Sequence, residues 1–298
     1  MKILITGSKG QLGRELNRLF ERDGANGAEV VFTDVDELDI TDRGAVDAFL
    51  RAGDFSHVVN CAAYTAVDRA EEDKALCYSV NTDGPGNLAR LADELGFRLI
   101  HISTDYVFDG TAHRPLTESD KPSPLSVYGT TKRRGETALL GLAPESIIIR
   151  TAGLYSAFGS NFIKTMIRFA LQGRPQVQVV YDQIGAPTSA IDLAMAIRTI
   201  LFSNKWKGGI YHYSNEGVCS WYDVAREVFD ALPDSVPAPE LLPILSSEFP
   251  AAASRPLYGV LDHSRIRATY GLRIPHWRHS LRRDFPEIFN SIKSSASL

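Results

Sequence analysis

The stretch Lys2-Ile3-Leu4-Ile5-Thr6-Gly7-Ser8-Lys9-Gly10-Gln11-Leu12-Gly13 opens the chain and decides how the rest is read. Lys2 to Thr6 is a short β-rich run. Gly7, Gly10 and Gly13 follow at once, and Leu12, Leu16, Leu19 and Phe20 then fall on one side of an amphipathic helix. Strand, glycine loop, helix is the context that gives a glycine motif meaning. Glycines let the backbone turn tightly and let a diphosphate reach the helix N-terminus, where free N–H groups and the dipole favour anions. Gly7, Gly10, Gln11 and Leu12 are therefore expected to bind a dinucleotide cofactor. The spacing is Gly-x-x-Gly-x-x-Gly, not the more familiar Gly-x-Gly-x-x-Gly.

The same rhythm repeats along the first half. Glu29 to Thr33 reads as a second strand with Asp34 at its end. A carboxylate there accepts both hydroxyls of the adenosine ribose and repels a 2′-phosphate, whereas Lys9 offsets that repulsion, so NAD and NADP both stay open. Asp39-Ile40-Thr41-Asp42 follows, with Thr41 or Asp42 as a helix N-cap. Ile40 packs on the adenine or belongs to the core. His57 to Cys61 reads as the third strand and runs into Ala62-Ala63-Tyr64-Thr65, where small residues allow close backbone approach to a ligand. A helix from about Glu72 to Leu95 carries Asn81 inside it. Asn is a poor interior helix residue, so it has a polar partner or lies on the surface.

Arg98 to Ser103 reads as the fourth strand, ending in Thr104-Asp105-Tyr106-Val107-Phe108, and Ser146 to Arg150 as the next. Strands alternating with helices in this way predict an α/β, Rossmann-type, doubly wound parallel sheet. Ligands bind such sheets at the carboxyl ends of the strands. Gly7, Cys61 and Thr104 all lie at that edge. So does a helix that begins after Ser126 and carries Val127-Tyr128-Gly129-Thr130-Thr131-Lys132. Tyr128 and Lys132, four apart, share one helix face. A phenol normally ionises near pH ~10, and a neighbouring ammonium is expected to lower that value. Such a pair suits general acid–base work near neutral pH.

After Arg150 the pattern changes. Helices are expected at Asn161–Leu171, Ala190–Phe202, Trp221–Leu232, Ser264–Tyr270 and Trp277–Arg283, with strands at Val177–Val180 and Gly209–Tyr213. Pro233 to Pro250 holds five prolines and reads as a wrapped connection, not a packed element. Residues 1–150 are thus read as the dinucleotide-binding domain, with part of 180–213 returning to it. Residues 151–298 are read as mainly a smaller C-terminal substrate-binding lobe.

Composition narrows the classes. At 298 residues and 44% apolar content the chain can bury a sizeable core. A net charge of −4 gives no footprint for nucleic acid or anionic membrane. No run approaches a membrane span. Cys61, Cys77 and Cys219 are few, odd in number and without metal-ligand spacing, which points to a reduced, cytoplasmic compartment. Cys61 is read as packing.

Taken together, Gly7-x-x-Gly10-x-x-Gly13, Asn60-Cys61-Ala62-Ala63, Thr104 and Tyr128-x-x-x-Lys132 resemble the extended short-chain dehydrogenases/reductases. Five further segments narrow this to the branch that makes dTDP-L-rhamnose by reducing the 4-keto group of a dTDP-6-deoxyhexulose. They are Cys61–Asp68, Ser103–Phe108, Asn161-Phe162-x-Lys164-Thr165-Met166, Asp182-Gln183-x-Gly185-Ala186-Pro187-Thr188 and Ala253-Ser254-Arg255-Pro256. The resemblance implies NADPH as cofactor, with NADH as the alternative, and a dTDP-sugar as substrate. It implies Thr104, Tyr128 and Lys132 as catalytic residues. Tyr128 gives its proton to the forming alkoxide, Thr104 holds the carbonyl oxygen, and Lys132 holds the nicotinamide ribose and lowers the Tyr128 pKa. Asp34, Asp39, Ile40, Ala62, Ala63, Tyr64 and Asn81 join the glycine loop, Tyr128 and Lys132 in cofactor binding. Thr65, Thr104, Asp105, Phe108, Tyr128, Asn161 and Arg255 are implied to bind substrate. Arg255 suits the diphosphate because a guanidinium matches phosphate oxygens bidentately.

Two departures qualify the resemblance. The branch often carries a tryptophan after Arg-Thr-Ser, where this chain has Arg150-Thr151-Ala152-Gly153, which leaves the exact sugar open. Some members form a Mg2+-bridged dimer through acidic residues; Glu15 matches one such position and Ala190 does not match another, so no metal is expected. The chain is expected to be a monomer or homodimer. A dehydratase of the same fold carries Thr-Asp-Glu, and here Tyr106 follows Thr104-Asp105. A nucleotide-sugar epimerase, or a non-catalytic nucleotide-binding regulatory subunit, remains the alternative.

Overall fold

The computed structural model describes residues 1–296. Five parallel strands fill the first half: β1 (Lys2–Thr6), β2 (Glu29–Thr33), β3 (His57–Asn60), β4 (Arg98–Thr104) and β5 (Ile147–Thr151). The second half adds β6 (Leu154–Tyr155), β7 (Gln176–Val180), β8 (Ile184–Gly185), β9 (Thr188–Ser189), β10 (Gly209–His212), β11 (Cys219–Ser220) and β12 (Glu240–Ile244). The helices are α1 (Gln11–Asp23), α2 (Arg43–Gly53), α3 (Lys74–Tyr78), α4 (Gly84–Leu95), α5 (Val127–Leu142), α6 (Phe162–Leu171), α7 (Ala190–Leu201), α8 (Trp221–Asp230), α9 (Ser264–Tyr270) and α10 (Trp277–Ala296).

The main sheet runs β10-β5-β4-β3-β1-β2, with every pairing parallel. Alternation along β1 explains its two-sided cover. Ile3 and Ile5 face α1 and α7 through Leu16, Leu19, Leu193 and Ile197. Leu4 faces the opposite way, onto Val46, Leu50, Leu88 and Leu139 of α2, α4 and α5. The doubly wound sheet expected from sequence is therefore present. The chain leaves β1 toward β2 on one side and returns on the other for β3, so the crevice opens between the ends of β1 and β3. There Gly7 sits at φ +67°, and a Cβ on it would lie 2.5 Å from the backbone nitrogen of Ala62. Only glycine fits this point, which is why the loop can pass so close to the end of β3.

The second half packs a separate apolar cluster, in which Ile163 and Met166 meet Val179, Val228, Trp277 and Leu281. β10 leaves that half and pairs with β5 along Gly209–His212.

Three expectations need correction. The helix read over 72–95 is broken into α3, a π-helical turn over Ser79–Asp83, and α4 with Pro85 in its first turn. The stretch 233–250 contains β12, paired in parallel with β7 through Pro243↔Val179. A proline is tolerated there because a two-stranded ribbon leaves one edge of each strand unpaired. The last helix does not stop at Arg283. It runs through Pro286 to Ala296, since Phe285, Ile288, Phe289 and Ile292 continue its buried face.

One buried ion pair ties these layers together beneath α5. Glu136 and Arg150 are both 0% exposed. Arg150 donates through Nε and Nη2 to the two carboxylate oxygens, at 2.7 Å each. Ser103 of β4 donates to Glu136 at 2.7 Å, and Arg133 at 2.9 Å. Neutral His212 of β10 completes the set: its Nδ1–H faces the Leu116 carbonyl at 2.9 Å, leaving Nε2 to accept from Arg150 at 3.3 Å. Burial raises the Glu136 pKa, but the Arg150, Ser103 and Arg133 contacts outweigh it and leave the carboxyl below its usual range. Its contribution to stability is thus present above the unfolded carboxyl value and is lost as pH falls below it.

Replacing one partner strands the other charge in the interior. Glu136→Gln is expected to cost about 3–5 kcal/mol, read from urea unfolding midpoints at neutral pH.

Candidate active site

Helix α5 presents the central pair, and local chemistry fixes where it starts. Ser126 caps it by accepting from the Gly129 N–H at 3.1 Å, and Glu71 accepts from the Val127 N–H at 2.9 Å. Gly129 lets the first turn press onto the Tyr106 backbone, where a Cβ would lie 2.2 Å from the carbonyl oxygen. Tyr128 then sits edge-on to Tyr106, with ring centroids 5.5 Å apart. Thr104 closes β4 beside it, donating to Asp105 at 3.1 Å and accepting from the Tyr106 N–H at 3.2 Å. Thr104, Asp105 and Tyr128 are therefore brought together.

The electrostatics differ from the expectation at one point. The Tyr128 pKa is raised, first by burial and then by Asp105 and Tyr106, with the Thr104 hydrogen bond opposing. The Lys132 hydrogen bonds run to the sheet beneath the helix. Lys132 as a residue is 1% exposed; its Nζ donates to the Ile102 carbonyl at 2.6 Å and meets His101 Nε2 at 3.2 Å. Burial brings the Lys132 pKa down to about 8, against Glu136, Cys77 and Cys61. In the resting site burial prevails over charge stabilisation, and the phenol keeps its proton. Burial likewise carries Asp105 up to about 7 despite the Thr104 hydrogen bond.

The cofactor crevice lies at the carboxyl ends of β1, β2 and β3. Its cavity of about 390 Å³ is lined by Gly7, Gly10, Asp34, Asp39, Ile40 and Ala62, with Lys9, Cys61 and Ala63 beside them. A Gly-rich cradle with no side chain at Gly7 and an α1 N-terminus with Gly10 as N-cap fit a dinucleotide's diphosphate. Asp34 already accepts from the Lys9 backbone at 2.7 Å, and the Lys9 ammonium is paired with Asp36 at 2.5 Å. Ile40 is a buried core residue that packs on Gly84, and one side of it lines the cavity. Asn81 is buried, not on the surface. It accepts from the Tyr64 N–H at 2.9 Å and donates to the Tyr64 carbonyl at 3.0 Å, so it shapes the loop without lining the crevice. The Leu12 side chain is core, which leaves its backbone for any ligand. Burial pushes the Cys61 thiol up to about 12, as a packing cysteine requires.

On the substrate side the picture is mixed. Arg255 and Tyr106 line a largely apolar cavity of about 350 Å³ with Phe162, Met166, Trp221 and Phe249. The Arg255 guanidinium is held bidentately by Asp68, at 2.6 and 3.1 Å, so a phosphate there shares it with a carboxylate. Two expected substrate residues point elsewhere. Phe108 is 2% exposed and lies under the Arg150 guanidinium at 5.0 Å, a core contact. Asn161 caps α6 by accepting from Lys164 and donates to Gln11 at 2.9 Å, so it braces the glycine-loop helix. Thr65 is exposed on its loop. Gly153 has φ +51°, and a Cβ there would lie 2.9 Å from the Trp221 ring. The aromatic expected at 153 thus has no room while Trp221 occupies that wall.

Sequence reading missed His101, Trp221 and Tyr106. His101 did leave a signal, a polar residue inside the apolar strand Leu99-Ile100-His101-Ile102. Glu15 is buried, with one carboxylate oxygen lacking a partner and its pKa raised to about 7, chiefly by burial.

The family described as the RmlD substrate binding domain matches residues 1–288. The chain is 39% identical to a dTDP-4-dehydrorhamnose reductase of Aggregatibacter actinomycetemcomitans, over 94% of this chain and 97% of the other. It is 43% identical to a probable dTDP-4,6-dihydroxy-2-methyloxan-3-one 4-ketoreductase of Streptomyces antibioticus, over 97% and 96%. A crystal structure of dTDP-4-dehydrorhamnose reductase from Bacillus anthracis in complex with NADP superposes with a TM-score of 0.89 at 36% identity, covering 96% of this chain and 99% of that one.

The Asp105 carboxyl yields a test of the site's electrostatics. Its folded pKa lies above its unfolded value, so its contribution is full below about pH 4 and is lost as pH rises through about 7. Asp105→Asn is expected to flatten that part of the stability profile. The check is the difference between variant and wild-type urea midpoints at pH 4, 5.5 and 7.

Proposed function

The chain belongs to the RmlD substrate binding domain family, and from that premise we propose that it reduces the 4-keto group of a dTDP-6-deoxyhexulose to give dTDP-L-rhamnose. The observation that carries this reading is the meeting of Thr104, Tyr128 and the β1–β3 crevice at one edge of the sheet. Bound NADPH supplies a hydride to C4 of the sugar. Thr104 orients the carbonyl oxygen through its hydroxyl. Tyr128 donates its proton to that oxygen as charge develops there. A phenol with a raised pKa holds its proton at neutral pH, which is the state that a reduction needs at the start. The tyrosine and tryptophan walls near Arg255 exclude water and offer a flat, apolar surface to a nucleotide.

Residues 1–150 and β10 serve the cofactor, and most of the remainder serves the sugar nucleotide. NADPH is the working cofactor and NADH a weaker one. Among the described residues that line the crevice Lys9 is the cation, among Asp34, Asp39 and the nearby Asp36 and Glu37, so it is placed to offset repulsion of a 2′-phosphate. Trp221 beside Gly153 shapes the sugar end, and the hexulose configuration is read out there. A related 4-keto sugar of a dTDP nucleotide is the second reading, favoured by that same Gly153 wall.

Two measurements test this. Tyr128→Phe is expected to lower turnover by at least ~100-fold with little change in NADPH affinity; near-wild-type NADPH oxidation with dTDP-4-keto-L-rhamnose would defeat the assignment. Lys9→Ala is expected to shift the ratio of kcat/KM for NADPH over NADH toward NADH by roughly fivefold.

A further inference from the structure

The loop that leaves β3 ends in Asp68, which ties it to the other half of the chain. Asp68 caps a short 3₁₀ turn over Arg69–Glu71. Ala70 of that turn is 0% exposed, and Glu71 accepts from the Val127 N–H at the start of α5 at 2.9 Å. Asp68 is thereby fixed relative to the helix that carries Tyr128. From the other half comes the segment that follows β12. Pro250-Ala251-Ala252-Ala253 offers no polar side chain, so its anchors are backbone ones, and the Ala253 N–H donates to Asp68 Oδ1 at 3.1 Å. Two residues on, Arg255 reaches the same carboxylate and holds its pKa below the usual range, so Asp68 is ionised at neutral pH.

A donor count shows what this contact leaves over. A guanidinium carries five N–H groups in a rigid fork. Asp68 takes the end-on pair: Nη1 donates to Oδ1 at 3.1 Å and Nη2 to Oδ2 at 2.6 Å. The other Nη1 hydrogen goes to the Ala253 carbonyl at 3.2 Å. What remains is the side-on pair, Nε–H with the second Nη2–H, which runs parallel and matches two oxygens of one phosphate. Arg255 lines the cavity that it shares with Tyr106, Trp221 and Phe249. Ordering a long side chain before the ligand arrives strengthens binding, because less rotamer freedom is lost on contact. The Asp68 carboxylate also repels a diphosphate, but its side chain is 46% exposed against 20% for Arg255. Water screens that repulsion, whereas orientation by direct contact is not screened.

We infer that Asp68 is a positioning residue for substrate binding: it clamps Arg255 end-on and presents the side-on fork to the diphosphate of a sugar nucleotide. The identity of that ligand rests on the reductase reading; the clamp does not.

The first test needs no substrate and uses the full chain. In protein labelled with 15N at arginine, Arg255 is assigned by the loss of its signals in Arg255→Lys. Three held Nη hydrogens slow rotation about the Cζ–Nη bonds, so separate Nη resonances are expected in the wild type and averaged ones in Asp68→Ala. Averaged Nη signals in the wild type overturn the inference. The second test is calorimetric titration with dTDP. Asp68→Ala is expected to raise the dissociation constant about tenfold, and Asp68→Asn, which keeps Oδ1, to raise it less, with NADPH affinity within twofold in both. In an Arg255→Ala background, Asp68→Ala is expected to change dTDP affinity less than about twofold, because no guanidinium is left to orient. With the keto-sugar nucleotide as substrate the loss falls on KM, and kcat stays within about threefold. Tighter dTDP binding in Asp68→Ala, or a tenfold loss that persists in the Arg255→Ala background, overturns the inference. A wild type that binds NADPH but no dTDP defeats the reductase reading, and the arginine spectra then decide this one alone.

Discussion

The Glu136–Arg150 pair is the constraint on which the rest of the site depends. It joins the middle of α5 to β5, and through Ser103 and His212 it reaches β4 and β10. Those elements decide where Tyr128 and Lys132 stand relative to Thr104. Two charges in an interior are costly unless each donor and acceptor is matched, and here the matching draws on four separate segments. The network therefore specifies one placement of the catalytic helix over the sheet and penalises any slip of it.

The crevice obeys a steric constraint of the same strictness. β1 and β3 are neighbours in the sheet although β2 lies between them in the chain, so their end loops meet face to face. Gly7 touches Ala62 with no space for a Cβ. Asn81 holds the far side of the same loop through both polar groups of the Tyr64 backbone. A π turn goes with it: the widened helix over Ser79–Asp83 carries that side chain against the Tyr64 backbone. Strand order, loop approach and helix distortion thus serve a single concavity.

Burial, more than charge, governs the chemistry of the site. Tyr128, Asp105, Lys132 and His101 all shift toward their neutral forms, in each case chiefly because burial penalises the ion. A buried phenol that keeps its proton at rest is poised to give it up when a reacting oxygen draws it.

Much of the fold was legible in the sequence because it rests on local signals. The run from Lys2 to Gly13, the alternation in β1 and the Ser126 cap each name their element through period, backbone freedom or a side-chain acceptor. Tyr128 and Lys132 announced themselves by helical spacing, and Asp34 by its place after a strand. The errors came where distant partners outvoted local preference. Pro243 enters a strand because β7 lies beside it, and α10 passes Pro286 because Phe285 and Ile288 are wanted by the core. Phe108 and Asn161 were assigned to substrate by resemblance, and Arg150 and Gln11 claim them. The direction of Lys132 was beyond any reading of spacing. Helix geometry puts its Cβ beside Tyr128, but the carbonyl of Ile102 and the ring of His101, thirty residues upstream, decide where the amine goes. A sequence states which groups are present and which face they share; burial and hydrogen-bond direction, which set their charge, exist only once strands far apart in the chain have met.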